Sequence, residues 1–461
     1  MRYISTRGGA SAEFGDVLLG GPASDGGLYL PDAWPRFGER EIGAFRGQPY
    51  AEVAFRVMRP FVAGAFDDAE FRADVDAAYA TFAHKDVVPL VELAPDRFLL
   101  ELFHGPTFAF KDVAMQLLGR LFARALKKQN RRATVIVATS GDTGSAAIAA
   151  LHGLPGVDVV VLHPHGRVSE VQRRQMTTVL DANVHNIALN GSFDDTQTIV
   201  KALFADSAFA ARTQLTAVNS INFARIVAQC VYYFTAAAAL GRTPSFIVPT
   251  GNFGDVFAGE AAGRMGLPID RLVVATNSND ILVRALTSGA YSAGHAQQTL
   301  SPSMDIQVAS NFERALFEGS NRDARFVAEA MKGFAATKAL TIPRPVLIEL
   351  QRRYLAASGS DAETRQAIAR IHKQSGVIID PHTAVGVAAA EKLSGALNGP
   401  TVFLATAHPA KFPEAITQAI GIATEIPPKL AGLMAQEERY TVLPNEAGAV
   451  RTFVLERTGT S

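Results

Sequence analysis

Cysteine is almost missing from this sequence. Cys230 is the only one, so no intrachain disulfide can form and a reducing compartment suits the chain. It lies inside the apolar run Ile226–Leu240 and reads as a packed thiol rather than a nucleophile. A charge excess is missing too, because 44 Lys and Arg balance 44 Asp and Glu. Without net basic charge no nucleic-acid partner is expected. The cluster Arg124, Lys127, Lys128, Arg131 and Arg132 falls at a helix C-terminus, where cations are favoured anyway. The longest apolar run is interrupted by Gln229 and is too short to span a bilayer. Met1–Gly9 lacks the apolar core of a signal peptide. No membrane association is expected, and a cytoplasmic location is. Several motifs are also missing. No Gly-Lys pair exists for a Walker loop, no G-x-G-x-x-G for a dinucleotide, and no H-E-x-x-H for a metal. His163 and His165 have no third ligand nearby in sequence, so no metal site is expected.

What is present is ample core. Hydrophobic residues make up 48% of 461, too much chain for one ordinary core and enough for two or three domains. Residues 1–95 form a section of their own, with Gly-rich turns near Gly20 and Asp25 and helical patterns over Tyr50–Phe61 and Ala69–Phe82. From Arg97 the texture changes. Short β-branched runs at Thr134–Ala138, Val157–Leu162, Val184–Ala188, Phe246–Val248, Leu272–Ala275, Val377–Ile379 and Val402–Leu404 mostly lead into helical patterns. That alternation predicts an α/β protein with parallel sheets covered on both faces. Pro343–Pro345 and Ser358–Ser360 read as surface loops.

Lys111 is the residue that fits least comfortably. A helix is predicted from Asp112 to about Leu126, with Ala114, Met115, Leu118, Phe122 and Ala125 on its apolar stripe and Asp112, Gln116, Arg120 and Arg124 opposite. Lys111 stands at the head of that stripe. An ammonium there either snorkels outward or gives up its proton, becoming a nucleophile able to form a Schiff base with a carbonyl cofactor.

Three strand-to-helix turns carry residues suited to ligands, which collect at the carboxyl ends of parallel strands. The first is Ala138–Ser145, with Ser140 and Thr143 as hydroxyl donors; the second is Pro249–Asp255. Each suits an anion held by backbone N–H groups, and each also suits an ordinary capped βα turn. The third, Leu404–Pro413, holds Thr406 where a strand stops and Lys411 just beyond. A strand-end threonine is more often structural, and such a lysine more often solvated. Asp380–Thr383 reads as a helix start with Thr383 as a cap.

Together these segments resemble a known family. Leu102–Asp112, Thr139–Ser145, Gly251–Asp255 and Thr406–Pro413 are similar, in that order, to four motifs of the threonine synthases. Tyr3–Gly8 and Asp25–Pro31 resemble the N-terminal domain of those enzymes. The resemblance implies a pyridoxal-phosphate enzyme of fold type II, the tryptophan-synthase-β-like arrangement. It would have two doubly wound α/β domains plus an N-terminal α+β domain. Residues 1–95 would be the N-terminal domain, 96–130 with 216–461 the large cofactor-binding domain, and 131–215 the small one. Lys111 would hold the cofactor and shuttle protons. Gly251, Asn252, Phe253, Gly254 and Asp255 would hold its phosphate, with the Asp255 side chain turned away. Thr406 would meet the pyridine nitrogen and Asp142 would lie against the ring. Ser140 and Thr143 would receive the substrate, and Arg225 and Lys411 its phosphate. The implied reaction turns O-phospho-L-homoserine and water into L-threonine and phosphate, in a monomer or homodimer. Two alternatives stand beside it: a threonine or serine dehydratase or a phosphohomoserine lyase giving 2-oxobutyrate, and a non-catalytic binding protein.

Overall fold

The structure, a computed structural model, describes residues 1–458. Its larger sheet has six strands in the order Tyr354–Ser358, Leu272–Thr276, Ser245–Pro249, Thr401–Ala405, Arg97–Glu101 and Leu90–Ala94. The first five are mutually parallel and the last is antiparallel. The central strands are buried on both faces and read as unbroken runs such as Ser245–Pro249, as strands covered by helices must. The smaller sheet is wholly parallel, in the order Thr441–Pro444, Val184–Asn190, Val157–Pro164, Ala133–Ala138 and Leu215–Thr216. Near the N-terminus a three-stranded antiparallel sheet, Ala12–Glu13, Arg2–Ser5 and Tyr29–Pro31, sits with helices Tyr50–Val62 and Asp68–Tyr79.

Helix Phe223–Leu240 is the spine of the core. By length and composition it could cross a bilayer, but 83% of it is buried inside the fold. It packs on Tyr50–Val62, Lys111–Gln129 and Gly254–Arg264. An α-helix apolar all round is a core helix when other helices surround it. Asn222 caps it by accepting from Ala224 N at 3.1 Å, and Gly241 ends it in the left-handed conformation.

The structure departs from the sequence reading in several places. Val377–Ile379 is no strand: Gly376 ends one helix and Asp380 caps the next, and the three residues between them are the link. Three strands of the larger sheet stand outside the expected runs, Tyr354–Ser358, Arg97–Glu101 and Leu90–Ala94, and Ser358 ends the first of them rather than lying in a surface loop. Pro343–Pro345 opens helix Arg344–Arg353, since proline is well placed in a first helical turn. Asp380, not Thr383, is the cap of helix Pro381–Lys392: its carboxylate accepts from His382 N and Thr383 N. Finally, the tail does not belong with the larger sheet. Thr441–Pro444 pairs with Val184–Asn190, and Val450 and Val454 of helix Ala447–Arg457 enter the smaller unit's core. The end of the expected 216–461 segment, residues 459–461, lies outside the described residues.

Candidate active site

The lysine helix runs from Lys111 to Gln129 and is anchored by a tight lead-in. Asp112, expected on the solvent side, is fully buried because its carboxylate accepts from Thr107 N and Thr107 Oγ1, both at 2.7 Å. Gln116 is buried as well. Gly105 packs so closely that a Cβ there would lie 2.4 Å from Asp112 Cβ. Phe110 N donates to Thr406 O at 2.8 Å, and Ala109 bridges to Ala407. The lysine lead-in is therefore stitched to the strand end that carries Thr406.

Lys111 is buried. Burial pushes its amine below the ordinary lysine range, the nearby charges of Lys411 and Arg225 push the same way, and Asp142 opposes them. Asp142 is the hub of the cluster. It opens helix Asp142–Leu151 and lies 3.3 Å from Lys111 Nζ and 2.7 Å from Lys411 Nζ. Gln172 Nε2 donates to it at 2.8 Å and Ser303 Oγ at 3.3 Å. Burial alone would raise its pKa, but the two lysines and the Gln172 hydrogen bond hold the carboxylate well below its usual range. Lys411 is not solvated: it is 0% exposed and also donates to Thr107 O at 2.9 Å. The short turn Pro409–Lys411 folds it inward.

In the Ala138–Ser145 turn, Thr139 Oγ1 accepts from Gly141 N at 2.9 Å and Gly144 N at 3.0 Å, while Ser140 and Thr143 are only half-buried. Gly141 adopts φ 140°, and a Cβ on it would strike Gln172 at 2.5 Å. The Pro249–Asp255 turn has the other geometry an anion needs. Phe253 is left-handed at φ 64°, and among the described residues no side chain caps helix Gly254–Arg264, which leaves its first backbone donors without a side-chain partner. Gly251 presses against Ser303 O, 2.6 Å from where a Cβ would sit.

The Asp255 side chain is engaged elsewhere, accepting from Tyr232 OH at 2.5 Å and Tyr233 OH at 3.0 Å on the spine helix. Its second oxygen is buried without a partner among the described residues. Burial pushes this carboxyl up to about 6, against the pull of the two tyrosines. The folded chain thus keeps a proton that the unfolded chain has already released, and stability falls as pH rises between the two pKa values. Asp255→Asn is expected to remove that fall, measured as the difference in urea stability between about pH 4 and about pH 6.5.

Arg225 lies in the first turn of the spine helix, 3% exposed, with Nη1 donating to Val218 O at 3.2 Å and Nε unpartnered. Burial pushes its pKa down to about 10, and among the described residues no carboxylate pairs with this cation. Thr406 is buried where strand Thr401–Ala405 ends. Among the described residues no group of His, Cys, Asp and Glu could hold a metal ion. Gln172 and Ser303 went unnoticed in the sequence. A glutamine in helix Glu170–Thr177 and a serine in the turn Pro302–Met304 carry no local mark of their position.

A deprotonatable buried lysine, a helix N-terminus with free donors and a strand-end hydroxyl fit pyridoxal phosphate, offering an amine, an anion cradle and a partner for the ring. Residues 89–342 match the family model "Pyridoxal-phosphate dependent enzyme", and the chain is a pyridoxal-phosphate enzyme of fold type II. Residues 2–79 match "Threonine synthase N terminus" and residues 383–454 "Threonine synthase, C-terminal". The threonine synthase of Pseudomonas aeruginosa is 53% identical over 98% of both chains, and that of Methylobacillus glycogenes 43% over 99% of this chain and all of the other. The crystal structure of the pyridoxal-phosphate-bound threonine synthase of Brucella melitensis superposes with a TM-score of 0.96 at 50% identity, covering 99% of each chain. The chain belongs to the threonine synthase family, whose members are lyases.

Proposed function

We propose that the enzyme converts O-phospho-L-homoserine and water to L-threonine and phosphate, with Lys111 carrying the cofactor. The observation that carries this reading is the buried cluster of Lys111, Asp142 and Lys411, with the unpaired cation Arg225 close enough to act on Lys111. When bound, pyridoxal phosphate supplies an electron sink for charge developing on substrate carbon. The donors of Gly251, Asn252, Phe253, Gly254 and Asp255 would hold its phosphate, Thr406 its ring nitrogen, and Lys111 its carbonyl carbon.

The net reaction breaks the C–O bond at the γ-carbon, forms one at the β-carbon, and moves a proton from β to γ. Lys111 Nζ, with its depressed pKa, is the base placed to take protons from carbon and return them. Asp142 pairs with Lys411 beside it at 2.7 Å. Ser140 and Thr143 would receive the substrate carboxylate, while Arg225 and Lys411 would hold its phosphate as the leaving group departs. Ser303, which reaches both Asp142 and the Gly251 turn, would help hold the two together. In this reading residues 1–95, 96–130 with most of 216–461, and 131–215 form the three domains, and the enzyme is cytoplasmic.

The direct test is incubation with O-phosphohomoserine while threonine, phosphate and 2-oxobutyrate are followed together. Threonine and phosphate in equal amounts are expected; 2-oxobutyrate without threonine would favour the lyase alternative. Arg225→Ala is expected to leave cofactor binding intact and raise KM for O-phosphohomoserine by about tenfold or more. Unchanged kinetics would move the substrate phosphate to Lys411.

A further inference from the structure

Arg314 is the largest fully buried side chain among the described residues, at 0% exposure. A guanidinium withdrawn from water normally has a carboxylate beside it. None lies within ion-pair distance of Arg314 among the described residues. The adjacent Glu313 is taken by Arg7 at 2.7 Å and Thr6 at 2.5 Å. Burial pushes the Arg314 pKa down to about 9, with Glu313 opposing, so the group is still a cation at neutral pH.

Its hydrogen bonds reach three separate parts of the chain. Nε donates to Tyr29 O at 3.1 Å, in the N-terminal sheet. Nη2 donates to Ile221 O at 2.6 Å, just before the helix that carries Arg225. Nη1 donates to Asn311 Oδ1. Asn311 in turn donates to Asn252 O from both its backbone N and its Nδ2, each at 3.0 Å. The same Nδ2 lies 3.4 Å from where a Cβ on Gly254 would sit. Asn252 and Gly254 belong to the turn before helix Gly254–Arg264.

We propose that Arg314 is a positioning residue that sets the phosphate affinity of the Gly251–Asp255 turn through Asn311, and couples the N-terminal unit to it. The proposal rests on that turn being the cofactor-phosphate cradle. Asn311 is a two-ended clamp. Its amide oxygen is drawn to the guanidinium, which fixes its amide nitrogen toward Asn252 O. With that carbonyl occupied, the peptide of the turn is held in the orientation that leaves the following N–H groups free for an anion. The buried positive charge behind the turn also favours an anion in it. Because the third arm of the fork ends on Tyr29 O, displacement of the N-terminal sheet would be felt at the cradle.

The test compares pyridoxal phosphate with pyridoxal, which lacks the phosphate, by absorbance titration of full-length wild type, Arg314→Met, Arg314→Lys, Asn311→Ala and Gly251→Val. Arg314→Met and Asn311→Ala are expected to weaken pyridoxal phosphate about tenfold or more and pyridoxal less than about twofold. Arg314→Lys, which keeps the charge but not the three-way fork, should recover part of the loss. A purely structural arginine would lower thermal stability equally with and without cofactor and leave both affinities unchanged. That result in Arg314→Lys and Asn311→Ala would overturn the proposal even if Arg314→Met failed to fold. Gly251→Val, which drives a side chain into Ser303 O, reports on the cradle itself. If it keeps the wild-type preference for the phosphorylated form, the cradle reading falls and the proposal with it. If it loses the preference while the Arg314 variants keep theirs, the proposal alone falls.

Discussion

Lys111→Ala is expected to eliminate threonine formation, a loss of at least about a thousandfold, since in the proposed reading Lys111 is both the covalent anchor and the proton carrier. The fold should survive. The Asp142–Lys411 pair at 2.7 Å does not depend on Lys111. The substitution also removes a buried amine whose pKa is depressed by burial. Such a group binds fewer protons folded than unfolded, so it destabilises the chain below its folded pKa, and the penalty fades as pH rises toward the unfolded value. Lys111→Ala should therefore lose activity without a matching loss of stability at neutral pH. Borohydride reduction of the wild type followed by peptide mapping should label Lys111. A label on Lys411 or Lys85 would move the cofactor to another residue.

Asp142→Asn should give the largest loss of stability of any single substitution in the site. Asparagine keeps the size and the contact with Gln172 but leaves the buried amines of Lys111 and Lys411 without a countercharge. Breaking a buried ion pair from one side costs about 3–5 kcal/mol. The pH dependence identifies the cause. The Asp142 carboxyl is held far below its unfolded value of 3.8, so its contribution is complete above that value and is lost as pH falls through the folded pKa. Wild type and variant should differ most near neutrality and converge in acid. Turnover should also drop, by about a hundredfold, as the Lys111 amine, the base in the proposed reading, loses the charge that opposes its burial. Adding Lys411→Met should restore part of the stability, because a double-mutant cycle then removes both charges. A variant within about 1 kcal/mol of wild type at pH 7 would show the cluster to be well solvated.

The parts of the site that were legible in the sequence are local ones. Lys111 at the head of an apolar stripe, the glycine-rich turns before two helices and the threonine at a strand end each carry their signal within a few residues. The structure brings Lys111, Asp142 and Lys411 into contact. What could not be read depends on tertiary closure. Lys411 looks like any lysine in a polar loop until the Pro409 turn folds it under Thr107. Gln172, Ser303 and Asn311 have no sequence mark because their roles come from elements far away in the chain. Arg314 sits in Phe312–Gly319 among alternating charges and apolar residues, where arginine is ordinary. The strand errors have the same origin: Val377–Ile379 has the composition of a strand but lies between two helix caps, whereas Tyr354–Ser358 lacks that composition but has a neighbour to pair with.

The return of Thr441–Pro444 to the smaller sheet has a consequence for how the protein is made. Val184–Asn190 pairs with Val157–Pro164 on one side and with Thr441–Pro444 on the other. On a ribosome the first partner emerges early and the second far later. During the interval the Val184 strand is a bare edge, with the apolar face later covered by Val450 and Val454 open to solvent. Nascent chains fold from the N-terminus as they emerge, and unpaired strand edges are where they associate wrongly. The larger sheet, complete by Ala405, can form first and keep the half-built smaller one from wandering. The smaller sheet can thus close only once Thr441–Pro444 has emerged.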